Sequence, residues 1–591
     1  MWKCAAAICA ALLLLVGAAA GGAKSSARVE EARHLVGPRG TISVWVYLSD
    51  KGTRPPGPLP TDLVSPRALA RRAKSLPADR LVDESDLPLL SSYVEKVSSC
   101  VSRIRHTSKW FNALSVDATP DQIDALEAFP FVREIDLVVK FARSRTPDPE
   151  RGSAPEAGLG KTASDQTLDY GSSLSQVDLE NIPAVHATGN SAQGIIIGHF
   201  DNGVRLLAHE AFDSLRSRII AQHDFVDHKT SVAPNDPDPG FGGHGVATLS
   251  TMAGYKPGQI VGPAFGATFI LARTENDSSE TPIEEDNWAE AIEWAESLGV
   301  QVTSTSLGYF DFDPPYTSWT WQNMDGRTTV ITRAAVMAAR KGVIVVNSAG
   351  NEGINRAGDP NTLIAPADAD SILSVGAVNP SGVRASFSSY GPTVDGRTKP
   401  DVMAVGTDVY VASATQVNAY DYEQGTSFSC PLTAGVAALV LKAHPEATAM
   451  QIINAIKMTG SYATAPDRYY GWGIIDAVAA INYLGTTPSA PPKAFALIQN
   501  YPNPFNPVTH IQFLVPEKSE VTVRIYDVLG RLVRTLVQRV YPPSAAPYDL
   551  VWDGLGSNGE HVASGAYLCR MNATGASGAS SVLVRKMMLI K

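Results

Sequence analysis

Gly425-Thr426-Ser427-Phe428-Ser429-Cys430-Pro431, followed by the apolar positions Leu432, Val436, Leu439 and Val440, sets a serine between a glycine turn and the start of an apolar helix. Backbone N–H groups left over at such a helix start can meet negative charge. Two roles fit the segment alone: an N-capping serine, or a nucleophile that needs partners elsewhere in the chain. Outward from it, residues from about Tyr170 to Leu484 alternate apolar strands with helical runs, the pattern of a mainly parallel, doubly wound α/β sheet. Gly194-Ile195-Ile196-Ile197-Gly198 leads to Asp201, Gly299-Val300-Gln301-Val302 to Ser306-Leu307-Gly308, and Val343-Ile344-Val345-Val346 to Ser348-Ala349-Gly350-Asn351. Each polar residue falls just past a strand's carboxyl end, where open α/β sheets place their sites.

Asp201 precedes Asn202-Gly203-Val204, and His244 follows Gly242-Gly243 at the head of the helical run Val246 to Ser250. Taken singly, Asp201 reads as a strand-end aspartate, His244 as a loop histidine and Asn351 as a turn residue. Together with Ser427 they give the order Asp, His, Ser, one of the known orders of a hydrolytic triad. A serine hydroxyl needs a base that removes its proton as it attacks, and imidazole suits that task near neutral pH. A carboxylate must hold the imidazole tautomer, and the tetrahedral oxyanion needs preorganised donors. His209 has no such set of partners and reads as structural.

Four blocks, Asp201 to Val204, His244 to Gly254, Ser348 to Gly353 and Gly425 to Pro431, resemble the active-site blocks of the subtilisin-like serine proteases. Further similar stretches are Val375 to Val378, Phe387 to Pro392, Lys399 to Val402 and Gly471 to Gly473, so that the resemblance spans about 300 residues in order. It implies a catalytic set of Ser427 as nucleophile, His244 as base, Asp201 as orienting carboxylate and Asn351 as oxyanion donor. It also implies substrate-binding edges at Ser306, Leu307 and Gly308 and at Ala349 and Gly350, where an extended peptide adds as a strand. The family usually carries Thr or Ser at Asn202, Thr at Val246 and Met at Phe428, so these departures bear on rate and pH optimum. No cofactor is required and no catalytic metal is expected. Relatives often bind structural calcium, and Asp224, Asp227, Asp236 and Asp238 offer carboxylates for it, although their spacing matches no EF-hand loop and a solvated loop is the alternative.

The flanks differ in composition. Residues 1–23 combine Lys3, the apolar run Ala11 to Val16 and a small-residue stretch Ala18 to Ala23, which predicts a secretory signal peptide and no retained membrane span. Residues 24–145 read as a small α+β unit: the alternation Ile42, Val44, Val46, Leu48 predicts a strand, and Thr119-Pro120-Asp121-Gln122 a capping box opening a helix. This unit, with His106 to Ala113, resembles the propeptide of these proteases, an intramolecular chaperone and inhibitor. The Pro, Gly and Ser-rich segment 146–169 is a cleavable linker before the catalytic domain at 170–485. A second join at 486–495 precedes residues 496–591, whose short alternating runs (Ile511, Phe513, Val515; Val521, Val523, Ile525; Tyr548, Leu550, Trp552; Ala566, Leu568) predict a β-sandwich. Asn500 to Pro507, Tyr526 to Arg531 and the terminal Arg585 to Lys591 resemble the C-terminal sorting domain of the bacterial type IX secretion system. That resemblance implies export through an outer membrane, to the medium or the cell surface, with the secretion machinery as partner.

The net charge of −10 argues against nucleic acid as the main partner, which would need a basic face, and Cys430 and Cys569, the only cysteines outside the signal and the first unit, do not make a disulfide framework. The expectation is a secreted serine endopeptidase made as a propeptide-inhibited precursor and acting on protein or peptide substrates. The alternatives are a noncatalytic peptide-binding pseudoprotease, or a surface adhesin in which the last unit dominates.

Overall fold

The computed structural model describes residues 24–52, 59–138, 168–234, 241–313, 318–485, 494–498, 500, 503, 505, 507–543 and 548–590. The expected signal segment, the linker through Thr167 and the join 486–493 lie outside them. Two compact units divide the chain, residues 1–481 and 482–591, so that the propeptide-like region and the catalytic region form one body.

A seven-stranded parallel sheet organises the first unit. Its strands run in the order Val402–Val405, Leu373–Val378, Ile344–Ser348, Val302–Thr305, Ile196–Asp201, Thr268–Arg273 and Ile219–Asp224. Strands covered on both faces must be apolar throughout, and those of Ile196–Asp201 and Leu373–Val378 are buried at every position. Neighbouring residues point to opposite helix layers: Trp288 Nε1, from the helix Ile283–Leu298, donates to Thr305 Oγ1 at 3.1 Å, while Ser304 Oγ meets Cys430 Sγ of the helix Thr426–Ala443 at 3.7 Å. Thr426–Ala443 is apolar all round because every residue from Thr426 to Leu441 is buried.

Residues 24–138 build a four-stranded antiparallel sheet in the order Arg103–Ser108, Ala113–Ala118, Ile42–Leu48, Val132–Leu137. The expected alternation holds in Ile42–Leu48, with Ile42, Val44, Val46 and Leu48 packed beneath the helices Ala27–Val36 and Pro120–Glu127. The capping box is present, Thr119 N donating to Gln122 Oε1 at 2.9 Å. Trp45 and Tyr47, on the opposite face, are buried as well, because that face lies against the helices of the parallel sheet. Helix Ile283–Leu298 presents Asp286, Glu290, Glu293 and Glu296, at i, i+4, i+7 and i+10, to donors from the first sheet and its flanking helix. Trp45 Nε1 and Ser115 Oγ donate to Asp286 at 3.0 and 2.5 Å, Arg105 lies 3.4 Å away, His106 and Ser108 bond Glu290 and Glu293, and Arg71 and Arg72 bond Glu296.

The second unit pairs a three-stranded sheet (Ala496–Leu497, Thr509–Leu514, Tyr548–Trp552) with a four-stranded one (Leu532–Tyr541, Ser519–Asp527, Gly565–Gly575, Ser580–Leu589) over a common core. In Gly565–Gly575 the buried positions are Tyr567, Cys569, Met571, Ala573 and Gly575 rather than the expected Ala566 and Leu568. A one-residue change of phase turns every side chain to the other face, and here the phase is set by pairing with Ser519–Asp527, where Ile525 lies opposite Cys569. Trp552 and Tyr567 meet edge to face at 5.2 Å inside the core, which makes them packing residues.

Candidate active site

Asp201 ends the strand Ile196–Asp201, and His244 stands in the first turn of the helix Gly243–Ala253. The helix comes this close because residue 245 is glycine: a Cβ there would lie 1.9 Å from the carbonyl oxygen of Gly203 and 3.2 Å from Asp201 Cβ. His244 Nδ1 lies 2.6 Å from Asp201 Oδ1, which also accepts the Asn202 N–H at 2.8 Å. The second carboxylate oxygen accepts Thr248 Oγ1 at 2.9 Å, and Thr248 is in turn 2.9 Å from His199 Nε2. Burial acts to raise the Asp201 carboxyl, but the charge and hydrogen bond of His244 outweigh it and hold the group below the ordinary carboxylate value. His199, wholly buried, is pushed down to about 4 and stays neutral.

Ser427 occupies the first turn of Thr426–Ala443. Its Oγ donates to Ser306 O at 3.2 Å, and Ser306 Oγ returns a bond to Ser427 O at 2.6 Å, so the end of the strand Val302–Thr305 is stitched to the serine. Asn351 lies past the end of Ile344–Ser348, where its Oδ1 accepts both the N–H and the Oγ1 hydroxyl of Thr426 at 2.9 and 3.0 Å. These bonds fix which end of the amide is acceptor and turn the NH2 group the other way.

His244, Ser306, Leu307, Gly308, Gly350, Asn351 and Ser427 line one cleft of about 320 Å³. Asp201 lies behind it, buried under His244. Ala349 differs from expectation: it is fully buried in the hydrophobic core and its N–H bonds Val375 O at 2.9 Å, so the strand pairing continues one residue past Ser348 and, of Ala349 and Gly350, Gly350 alone lines the cleft. His209 is structural, as expected: Nδ1 accepts the Ala211 N–H at 3.1 Å and Nε2 lies 2.7 Å from Ala419 O.

Asn202, a departure from the usual pattern, joins two parts of the site: its Oδ1 accepts the Gly245 N–H at 2.9 Å and its Nδ2 donates to Asp277 at 2.6 Å. The residue that sequence reasoning missed is Thr248. It sits four positions after His244, on the same helix face, and that spacing could have found it. Of the aspartates considered for calcium, Asp224 is 3.0 Å from Arg273, Asp227 is 2.9 Å from the same side chain, and Lys229 lies within 3.5 Å of both. They are compensated by cations already; Asp236 and Asp238 lie outside the described residues.

Comparison with known proteins fits this geometry. The model described as the subtilase family matches residues 192–473. Subtilisin E of Bacillus subtilis (strain 168) is 30% identical over 319 residues, 53% of this chain and 71% of that protein. The chain belongs to the subtilase family. Subtilisin of Bacillus pumilus is 30% identical over 53% of this chain and 99% of its own length, and subtilisin DY of Bacillus licheniformis 29% identical over the same shares. The crystal structure of MycP1 with the N-terminal propeptide removed is 24% identical, with a TM-score of 0.41 over 52% of this chain and 96% of that one. Residues 43–153 match the Peptidase S8 propeptide domain of Bacteroidota, and residues 508–577 a FlgD Ig-like domain. This subtilase is therefore a serine endopeptidase made as a propeptide-inhibited precursor, with a β-rich Ig-like unit at its C-terminal end.

Proposed function

We propose that peptide bonds are cleaved through an acyl-enzyme on Ser427. His244 takes the hydroxyl proton as Ser427 Oγ attacks the scissile carbonyl, and later returns it to the leaving amine. Asp201 holds the imidazole tautomer and stabilises the imidazolium. The Asn351 NH2 group and the Ser427 N–H receive the oxyanion, and Ser306, Leu307, Gly308 and Gly350 flank the extended substrate. The 2.6 Å contact of His244 with a fully buried Asp201, on the cleft that Ser427 and Asn351 share, carries this reading. It is tested by comparing wild type with Ser427→Ala in precursor processing and casein hydrolysis. Both should be lost in the variant, and equal hydrolysis by the two proteins would refute the assignment.

The protein is exported, on this reading, by the signal segment 1–23 and then by the C-terminal unit acting as a type IX sorting domain, with maturation inside the segment 146–169. Support for export comes from the terminal motifs Asn500 to Pro507 and Arg585 to Lys591. Deletion of residues 496–591 should keep the protein inside the producing cell while hydrolysis survives. Loss of hydrolysis together with retained export would favour an adhesin in which the last unit is the working part.

A further inference from the structure

We propose that Glu275, Glu280 and Glu284 form a calcium site in the wall of the substrate cleft. One carboxylate oxygen from each lies within 4.8 Å of the other two. Calcium holds its oxygen ligands at about 2.3–2.6 Å, so that ligands on opposite sides of one ion stand about 5 Å apart; the three oxygens fit one coordination sphere. Glu275 and Glu284 are each anchored by one carboxylate oxygen and leave the other without a protein partner among the described residues. Glu275 Oε2 accepts Tyr309 OH at 2.9 Å and Glu284 Oε2 accepts the Thr281 N–H at 2.6 Å, while Oε1 of each is buried without a hydrogen-bond partner. Glu284 is fully buried and Glu275 is 9% exposed.

An unpartnered buried carboxylate oxygen is costly, and a cluster of them more so. The charges facing Glu284 are Glu275 and Glu280, and those facing Glu275 are Asp201, Asp277 and His244. A cation held between the three carboxylates would compensate these buried charges. The contrast with Asp224 and Asp227 is direct, since Arg273 and Lys229 already neutralise that pair. All-oxygen donors select a hard ion over zinc or copper.

The position gives the ion a structural consequence. Glu275 lies two residues beyond the strand Thr268–Arg273, Glu284 opens the helix Ile283–Leu298, and Glu280 exchanges backbone and side-chain bonds with Asp313, its N–H reaching Asp313 Oδ2 at 2.8 Å and its carbonyl accepting the Asp313 N–H at 2.7 Å. One ion would tie strand end, loop and helix together on the cleft that Glu275 and Glu280 line beside His244 and Ser427.

The test uses the full chain carrying Ser427→Ala, which prevents self-digestion, and needs no activity, so it stands apart from the catalytic assignment. Bound Ca2+ is counted by equilibrium dialysis, and thermal unfolding is followed with Ca2+ and with chelator. Adding Glu284→Gln, or separately Glu280→Gln, should lower the count by one ion per chain and shrink the Ca2+-dependent rise in Tm. Two variants guard against misfolding of either. An unchanged count in both variants, or no binding by the parent up to about 10 mM Ca2+, above the range of weak extracellular sites, would overturn the proposal.

Discussion

Replacing Asp286 by alanine should loosen the propeptide's grip on the enzyme. Asp286 is 1% exposed and accepts Trp45 Nε1 at 3.0 Å and Ser115 Oγ at 2.5 Å, with Arg105 at 3.4 Å. The truncation leaves two buried donors and a guanidinium whose side chain is 5% exposed without their acceptor; the nearest other carboxylate, Asp117, is 4.0 Å from Arg105. Breaking a buried pair from one side costs about 3–5 kcal/mol. At about 1.4 kcal/mol per tenfold, affinity falls between roughly a hundredfold and a few thousandfold, mostly as faster dissociation. After self-processing of the purified precursor, hydrolysis of a fluorogenic peptide should begin with a lag that reports propeptide release. The lag should shorten sharply in Asp286→Ala and less in Asp286→Asn, which keeps one acceptor. Final activity normalises for folded enzyme. A lag within twofold of wild type at equal final activity would refute the claim that this contact holds the inhibitor.

Two further outcomes follow from the geometry. Thr248→Val removes the one hydrogen-bond donor that lies within range of Asp201 Oδ2 among the described residues, His199 Nε2 being 3.7 Å away; a bond to a charged group is worth about 1.5–3 kcal/mol, so kcat should fall by about tenfold or more with KM little changed, Thr248→Ser should restore it, and an unchanged kcat in the valine variant would contradict a positioning role. Burial raises the Glu293 carboxyl from 4.5 to about 7, so the folded precursor keeps a proton there that the unfolded chain releases; its stabilising contribution is full below about 4.5 and lost as pH rises through about 7. In the Ser427→Ala precursor, the Tm of Glu293→Gln relative to Glu293 should therefore rise between pH 4.5 and 8, and a difference independent of pH would contradict this.

The catalytic set was legible because each member sits at a glycine-bearing turn: Asp201 and Asn351 fall at or past carboxyl ends of the parallel sheet, which converge, and His244 and Ser427 stand in the first turns of helices. Asp201, His244, Asn351 and Ser427 could thus be grouped although up to 226 positions separate them, from 201 to 427. What the pattern does not carry is which way a residue faces one step beyond the strand. Ala349 and Gly350 look alike as small residues, yet continued pairing through the Ala349 N–H turns its methyl group into the core and leaves Gly350 at the cleft.

The propeptide contact was illegible for a different reason. Asp286, Glu290, Glu293 and Glu296 recur at helix spacing, which is also how a solvated acidic face is written. Only partners about 170 to 240 positions upstream, such as Ser115 and Trp45 at Asp286, separate the two cases. Trp45 and Tyr47 carried half of that information: on a strand whose other face already has a complete apolar core, two more large aromatic residues call for a second partner surface. Joining the two halves, an aromatic face that needs cover and a carboxylate row that needs donors, predicts that the row loses its compensation when the propeptide leaves. The carboxylates of Asp286 and Glu293, held in the precursor by Trp45, Ser115 and Ser108, must then be met by water. The helix Ile283–Leu298 that bears them also carries Glu284 behind the cleft, so propeptide release and the stiffness of the cleft wall act on one element.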